Sequence, residues 1–149
     1  MSTYTQIMYH LVFSTKNRER VFFDAEKRKE LFFYIWGVLK NHHCHLYRLG
    51  GVEDHIHILT HLHPDVGLSH LIKGIKVSSS DWMKREKNFP AFSYWQEGYG
   101  AFTHCFQEKM RLVEYIKGQE KHHEKLSFQE ELKKLLEEAG IDYDEKYLD

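Results

Sequence analysis

Residues 45–62 constrain the fold more strongly than any other part of this 149-residue chain. The segments HLYRLGGV (residues 45–52) and HIHILTHL (residues 55–62) both have the composition of β-strands. Between them, the Gly50–Gly51 pair and the Glu53–Asp54 step favour a bulge or a tight turn. We therefore predict two consecutive strands here. The other strands of the sheet must come from the segments on either side.

Two further strands and two helices are predicted around this pair. Residues 5–14 (TQIMYHLVFS) favour a strand, and Asp24 is a candidate N-cap for the helix that follows. Apolar residues at helical spacing predict a second helix within residues 67–86, and the end of YWQEGYGAFTHCF predicts a fourth strand. The order β-α-β-β-α-β is that of the ferredoxin-like split βαβ architecture, so we predict an α+β fold with helices on one face of an antiparallel sheet.

Two more helices are predicted after the sheet. The first runs from about Glu108 to His123, and its spacing assigns three residues to a core-facing side: Phe106, Met110 and Val113. The second begins at a capping box formed by Ser127 and Glu130, and Gly140 marks its end.

The composition is that of an ordinary globular protein, with 42% hydrophobic and 29% charged residues, and it predicts a single domain over residues 1–149. No apolar run is long enough to span a bilayer, and the first residues lack the pattern of a signal peptide. Cys44 and Cys105 form no CxxC motif, and we expect Cys105 to be a small buried residue. These features predict a cytoplasmic protein with no membrane partner.

The histidine pair in DHIHIL is the first candidate for chemistry. On a strand, His55 and His57 share one face while Ile56 points to the core, so the two imidazoles can chelate one divalent ion. Asp54 is placed to orient one of the imidazoles. His61 lies ~13 Å further along the strand and cannot complete that site. The alternative is a half-buried or surface pair without a metal, and a metal site in any case needs a third group.

The helix of residues 110–123 offers such a group. At ~100° per residue, three polar residues fall in one sector almost opposite the predicted core side: Tyr115, Gln119 and His122. Tyr115 and Gln119 are i,i+4 neighbours and lie side by side on the helix surface. Without further information, such a sector is more typical of an ordinary solvent-facing side.

A family resemblance distinguishes these alternatives. DHIHIL resembles the histidine–hydrophobe–histidine (HUH) signature of single-strand DNA nucleases, and YIKGQ resembles the YxxxQ motif of the single-tyrosine transposases within that superfamily. The segments YHLVFSTKNR, GGVEDHIHIL, LSHLIKGIKVSSS, WQEGYGAF and SFQEELKKLLEEAGIDYDEKYL follow the family's order from about Tyr9 to Leu148. The chain is therefore similar to the single-tyrosine HUH transposases. The best-fitting group is the TnpA-like insertion-sequence transposases, and the REP-associated tyrosine transposases are more distant.

The resemblance implies a reaction and the residues that perform it. His55, His57 and Gln119 would bind Mg²⁺ or Mn²⁺, with phosphate or water at the open positions. Tyr115, on what would then be the catalytic helix, would attack a DNA phosphate to give a 5′-phosphotyrosine link and a free 3′-OH. A different 3′-OH could later rejoin the strands without ATP. His122, on the same helix face as Tyr115, is a candidate proton shuttle.

The family also implies two partners: single-stranded DNA with hairpins at the element ends, and a second copy of the chain in a homodimer. It implies a location in the cytoplasm of a bacterium or archaeon. The net charge of −1 neither supports nor excludes DNA binding, because basic clusters in the first half are offset by an acidic C-terminal quarter. The candidate DNA-binding residues are Lys16, Arg18, Arg20, Lys73, Lys76, Ser78 and Ser79. Three aromatic residues could stack unpaired bases, Tyr94, Trp95 and Tyr99, although core packing is the alternative for Trp95.

Three other functions are compatible with parts of the sequence. The first is a domesticated relative that binds or nicks DNA but no longer transposes. The second is a metal-binding module that uses His61 and His63 together with the HUH pair. The third is a replication-initiation protein or relaxase, which shares the HUH pair but is usually longer. The presence of all the proposed catalytic residues argues against the first, and the tyrosine–glutamine helix favours transposition over the third. Metal titration of a His61→Ala, His63→Ala variant would test the second.

Overall fold

The computed structural model describes residues 1–148, and four strands within it form one antiparallel sheet in the order β2-β3-β1-β4. The strands and helices are β1 Met8–Ser14, α1 Ala25–Asn41, β2 His45–Gly51, β3 His55–His61, α2 Leu68–Glu86, β4 Gly100–His104, α3 Lys109–Lys117, α4 Gln119–His122 and α5 Phe128–Glu138. Short 3₁₀ turns cover Lys16–Arg18, Phe106–Glu108 and Glu145–Tyr147. The predicted α+β class and the β-α-β-β-α-β order are confirmed.

The centre of the sheet is β1, which pairs with β3 on one side and β4 on the other. In the β1–β3 pair, Val12 lies opposite His57 and Ser14 lies opposite His55. The β2–β3 pair contains an irregularity between Leu46 and Arg48. The two histidines therefore lie on an inner strand, where neighbouring strands fix their positions.

Helices α1 and α2 cover one face of the sheet. The Asp24 side chain caps α1 by accepting hydrogen bonds from the amides of Glu26 at 2.9 Å and Lys27 at 3.3 Å, as its residue type predicts. The main core lies beneath these helices and contains residues of both helices and alternate residues of β1 and β3: Leu11, Phe13, Leu31, Ile35, Leu39, Ile56, Ile58, Leu71 and Ile75. Alternation along β1 and β3 leaves the histidine pair on the opposite face.

Helices α3 and α5 cover that opposite face. Leu112 and Ile116 of α3 pack on Met8 and Leu59, and Phe128 of α5 packs in a separate cluster on β1 and β4. The terminal helix begins as predicted, because the Ser127 hydroxyl accepts from the Glu130 amide. None of the described helices is long and apolar enough to cross a membrane.

The predicted core side of α3 is wrong for two of its three residues, because only Val113 packs against the buried cluster. Phe106 and Met110 are 47% and 64% exposed, whereas Leu112 and Ile116 are buried. Gly50 accommodates the buried side of α3, because a Cβ on it would lie 2.9 Å from the Ile116 side chain. Only a glycine on β2 lets the Ile116 turn of α3 approach so closely.

Two smaller predictions also differ from the structure. The helix predicted over 108–123 is interrupted at Gly118, whose ψ of 12° separates α3 from α4. Glycine has a low helix propensity, which favours an interruption at this position. Cys105 is exposed rather than buried, because it lies in the turn after β4 and not within the strand.

Candidate active site

The histidine pair lies beneath α3 and α5. The side chains of His55 and His57 have no exposed surface, and their ring centroids are 5.1 Å apart. Ile56 between them points into the opposite core, as the period of two predicts. Strand geometry therefore delivers two imidazoles to one side of the sheet.

Asp54 contacts the first of these imidazoles. Its Oδ1 atom lies 2.7 Å from Nδ1 of His55, so the carboxylate holds this ring nitrogen in its N–H form. Burial lowers the pKa of His55, but hydrogen bonds to Asp54 and Glu131 outweigh burial and raise the pKa to about 9. The structure thus brings Asp54 to the place where an orienting carboxylate was predicted.

The second imidazole has a partner that the sequence reasoning missed. Nε2 of His10, on β1, lies 2.7 Å from Nδ1 of His57. Burial, and then the nearby His57 and His104 rings, lower the pKa of His10, and burial also lowers that of His57. His10 is therefore a neutral ring, and its contact with Nδ1 fixes the orientation of the His57 ring.

Tyr115 and Gln119 reach the histidine pair from the junction of α3 and α4. The Tyr115 ring lies 5.8 Å from the His57 ring, and Oε1 of Gln119 lies 3.1 Å from Nε2 of His55. An ion pair of 2.5 Å between Glu120 and the buried Arg28 ties α4 to α1. The structure thus brings Tyr115 and Gln119 together with both histidines within one chain.

His122 lies beside the tyrosine, as the helix spacing predicts. Its ring centroid is 5.0 Å from that of Tyr115. The remaining histidines of the opening stretch lie elsewhere: His61 accepts a hydrogen bond from the Ile7 amide at its Nδ1, and His63 lies after the end of β3. Both are therefore outside the cluster around His55 and His57.

The centre of the cluster is Glu131 of α5, which the sequence reasoning also missed. Its Oε1 atom lies 3.1 Å from Nε2 of His55, 3.0 Å from Nε2 of His57 and 3.1 Å from Nε2 of His123. Its Oε2 atom accepts a hydrogen bond of 2.8 Å from the Gln119 amide. The same oxygen accepts a hydrogen bond from the Tyr115 hydroxyl, so one carboxylate contacts all of these groups.

These contacts set the protonation states of the carboxyl and the phenol. Burial raises the pKa of Glu131, but hydrogen bonds from His123, His55 and His57 outweigh burial and hold it well below its ordinary value. Burial and the Glu131 charge raise the pKa of Tyr115 well above its ordinary value. The carboxyl is ionised and the phenol keeps its proton in this arrangement.

The donor set of this cluster suits a divalent cation. Ligand atoms of His55, His57, His123 and Glu131 all lie within 4.8 Å of one another. Imidazole nitrogens with carboxylate and amide oxygens form a mixed set that first-row divalent ions and Mg²⁺ accept. The residues present therefore fit a bound divalent ion.

The sequence model of the family described as "Transposase IS200 like" matches residues 3–119. The chain belongs to the IS200-like transposase family. This assignment confirms the resemblance inferred from the motifs, and it supports a DNA-cleaving and DNA-joining enzyme. A search of curated proteins finds no match.

Two solved structures share the fold of this IS200-like transposase. A candidate transposase from Deinococcus radiodurans aligns with a TM-score of 0.62 and 22% identity, over 80% of this chain and 95% of that chain. A REP-associated tyrosine transposase bound to a REP hairpin aligns with a TM-score of 0.59 and 16% identity, over 79% of this chain and 72% of that chain. At these identities the likeness concerns the fold.

The basic residues proposed for DNA binding in this transposase lie in different environments. Lys16, Arg20 and Lys73 are exposed, and Ser78 is half-buried. Arg18 donates a hydrogen bond of 3.1 Å to Gln129 of α5. The Lys16–Arg18 turn is adjacent to the histidine site, because the preceding Thr15 amide donates to the Asp54 carbonyl at 2.8 Å.

Two of the predicted DNA-binding residues are used inside the protein. The Lys76 ammonium donates to the carbonyls of Gln96 at 2.9 Å and Gly98 at 2.6 Å. Ser79 has no exposed surface, donates to the Ile75 carbonyl at 2.6 Å and accepts from the Trp95 indole at 3.0 Å. Ser79 thus supports the core beneath α2 and offers no atom to a phosphate.

The three aromatic residues predicted to stack on bases also differ in exposure. Trp95 is buried and packs in the core, whereas Tyr94 is 58% exposed and Tyr99 is 40% exposed. The Tyr94 ring lies 5.5 Å from the Lys16 ammonium and 4.7 Å from that of Lys84. An exposed aromatic ring close to basic side chains is typical of surfaces on which unpaired bases stack.

Proposed function

We propose that this transposase cleaves and rejoins single-stranded DNA at hairpin-marked element ends, using Tyr115 as the nucleophile. The observation that carries the proposal is the convergence of the Tyr115 hydroxyl, both HUH imidazoles and the Gln119 side chain on one buried carboxylate. A solvent-facing helix side would not bring a tyrosine and a glutamine to the same point as two buried histidines.

In this proposal, His55, His57 and Gln119 hold Mg²⁺ or Mn²⁺. Asp54 fixes one ring, so that Nε2 of His55 is directed toward Gln119 and Glu131. When bound, the ion would polarise a non-bridging phosphate oxygen and stabilise the charge that develops there. The phosphate would have to approach from the side of Tyr115, because the imidazoles themselves are covered.

The proposed reaction is a transesterification. The Tyr115 oxygen forms a bond to a DNA phosphorus, and the bond from that phosphorus to the 3′-oxygen breaks. The products are a 5′-phosphotyrosine and a free 3′-OH, and the tyrosine proton is passed to the leaving oxygen. His122 is our candidate for that transfer, because its ring lies beside Tyr115. Attack by another 3′-OH reverses the bond changes and joins new strands.

We propose that the DNA follows the surface formed by Lys16, Arg18, Arg20 and Tyr94, with Lys73 and Ser78 as more distant contacts. This surface is adjacent to Asp54 at one side and to α5 at the other. Stacking on Tyr94 would suit unpaired bases of any sequence. The bound hairpin in the REP-associated relative supports a hairpin as the recognised feature. A homodimer is the assembly that the family resemblance implies.

The decisive experiment uses labelled single-stranded DNA that carries the hairpin neighbouring the gene. The protein is incubated with this DNA and Mg²⁺ and then analysed on a denaturing gel. We expect a covalent adduct with the wild type and with Tyr4→Phe, a control at an 83% exposed tyrosine, and none with Tyr115→Phe. An adduct that survives in Tyr115→Phe would exclude Tyr115 as the nucleophile. Hairpin binding without any adduct would indicate a domesticated DNA-binding relative.

A further inference from the structure

Glu131 is an unusual buried acid, because within residues 1–148 its hydrogen bonds and ion pairs are with groups other than lysine or arginine. Its side chain is 2% exposed, and its partners are three imidazoles, an amide and a phenol. A carboxylate is buried at low cost only where hydrogen-bond donors compensate its charge, and here the three imidazoles supply most of them. The positions of its two oxygens indicate the role of this carboxylate.

The Oε1 atom of Glu131 is spaced from its neighbours as metal ligands are spaced from one another. Adjacent ligands of an octahedral ion with bonds of about 2.1 Å lie about 3.0 Å apart. The distances from Oε1 to Nε2 of His55, His57 and His123 are 3.1, 3.0 and 3.1 Å. The same distances suit hydrogen bonds, so an ion would replace the imidazole protons and draw together ligand atoms that lie within 4.8 Å of one another.

Helix α5 holds the carboxylate in this position through apolar contacts of its own. Phe128 is buried against Val12 and Phe102, and its ring stacks on the His55 ring with a centroid distance of 4.4 Å. Leu132 and other leucines of α5 extend the same contact. The helix is therefore docked by packing, and Glu131 is presented by a rigid element.

We propose that Glu131 is the carboxylate ligand of the divalent ion through Oε1, joined by His123, and that its Oε2 positions the Tyr115 hydroxyl beside that ion. The proposal rests on the metal-dependent function proposed above and adds α5 to the site. A carboxylate among the ligands shifts the site toward Mg²⁺ and Mn²⁺ and offsets half of the ionic charge. The nucleophile and the ion then share one protein group, which fixes their separation.

The competing explanation is that Glu131 blocks the site and must leave before the ion binds. The two explanations predict opposite effects of removing its charge. We would titrate Mn²⁺ into the full-length protein without DNA, by calorimetry, for the wild type and Glu131→Gln. The matched control is Glu130→Gln, which makes the same change at the neighbouring exposed position and keeps an acceptor for the Ser127 hydroxyl.

We expect Glu131→Gln to weaken Mn²⁺ binding by at least about tenfold, while Glu130→Gln stays within about twofold of the wild type. Unchanged or tighter binding by Glu131→Gln would overturn the ligand role and leave the proposed function intact. A wild type that binds no Mn²⁺ would instead remove the metal-dependent function, and this inference with it.

A second measurement decides the question if Glu131→Gln does not fold. Anomalous diffraction from Mn²⁺-soaked wild-type crystals would locate the ion. An ion bonded to Oε1 of Glu131 at about 2.1 Å supports the proposal. An ion bound to the histidines with the Glu131 carboxylate turned away from it overturns the proposal.

Discussion

Replacement of Gly51 by alanine should disrupt the histidine site from outside it. A Cβ on Gly51 would lie 2.4 Å from the His55 carbonyl oxygen and 3.0 Å from the Ile56 Cα, and both are backbone atoms. To restore an ordinary contact of 3.4 Å, the His55 carbonyl must retreat by about 1.0 Å. Gly51 does not have a positive φ, so the effect comes from this contact and not from backbone strain.

The expected loss of stability in Gly51→Ala follows from the rigidity of the β2–β3 hairpin. Gly51 pairs with Ile56 in the β2–β3 ladder, so the shift must distort an inner strand. Overpacking of this kind costs about 1–3 kcal/mol of unfolding free energy, which lowers Tm by about 2–12 °C for a chain of this size. A movement of His55 by about 1.0 Å exceeds the roughly 0.5 Å tolerance of a binding constellation, so Mn²⁺ affinity should fall as well.

The same substitution at Gly37 provides the control. Gly37 lies inside α1, and a Cβ there would meet nothing within 4 Å. Gly37→Ala should therefore stabilise the protein by about 0.5–1 kcal/mol through helix propensity. Urea unfolding of both variants, followed by circular dichroism, measures the difference. If Gly51→Ala is as stable as the wild type and binds Mn²⁺ equally well, the close contact does not position His55.

Two further predictions concern the surface assigned to DNA. Ser79→Ala should lower the unfolding free energy by about 1–3 kcal/mol, because the buried Trp95 indole loses its acceptor, while DNA affinity stays unchanged. Weaker DNA binding by a fully stable Ser79→Ala protein would show that Ser79 faces the DNA after all. Tyr94→Ala should weaken binding of unstructured single-stranded DNA by roughly 1–3 kcal/mol in fluorescence anisotropy at fixed salt, whereas Tyr147→Ala, at another exposed tyrosine, should not. Equal affinities of the two tyrosine variants would remove Tyr94 from the DNA path.

The strands, the caps and the HUH pair could be predicted because the information for them is local. The period of two places His55 and His57 together wherever the strand lies, and the Asp24 and Ser127 side chains cap the helices that they precede. The i,i+4 relation likewise places Tyr115 beside Gln119 before any tertiary contact forms. These features need only the backbone geometry of one element.

The rest of the site depends on how distant elements pack. Gly50 on β2 permits the close approach of Ile116, and this contact between β2 and α3 cannot be read from the α3 sequence alone. Glu131 is one of several acids in an acidic helix, and only the docking of Phe128 on β1 and β4 brings it to the histidines. His10 reaches His57 because β1 and β3 are neighbours in the sheet. The sequence by itself determined which residues pair along each element. The tertiary structure added the buried carboxylate at their centre, because long-range apolar packing alone selects one acid from that helix.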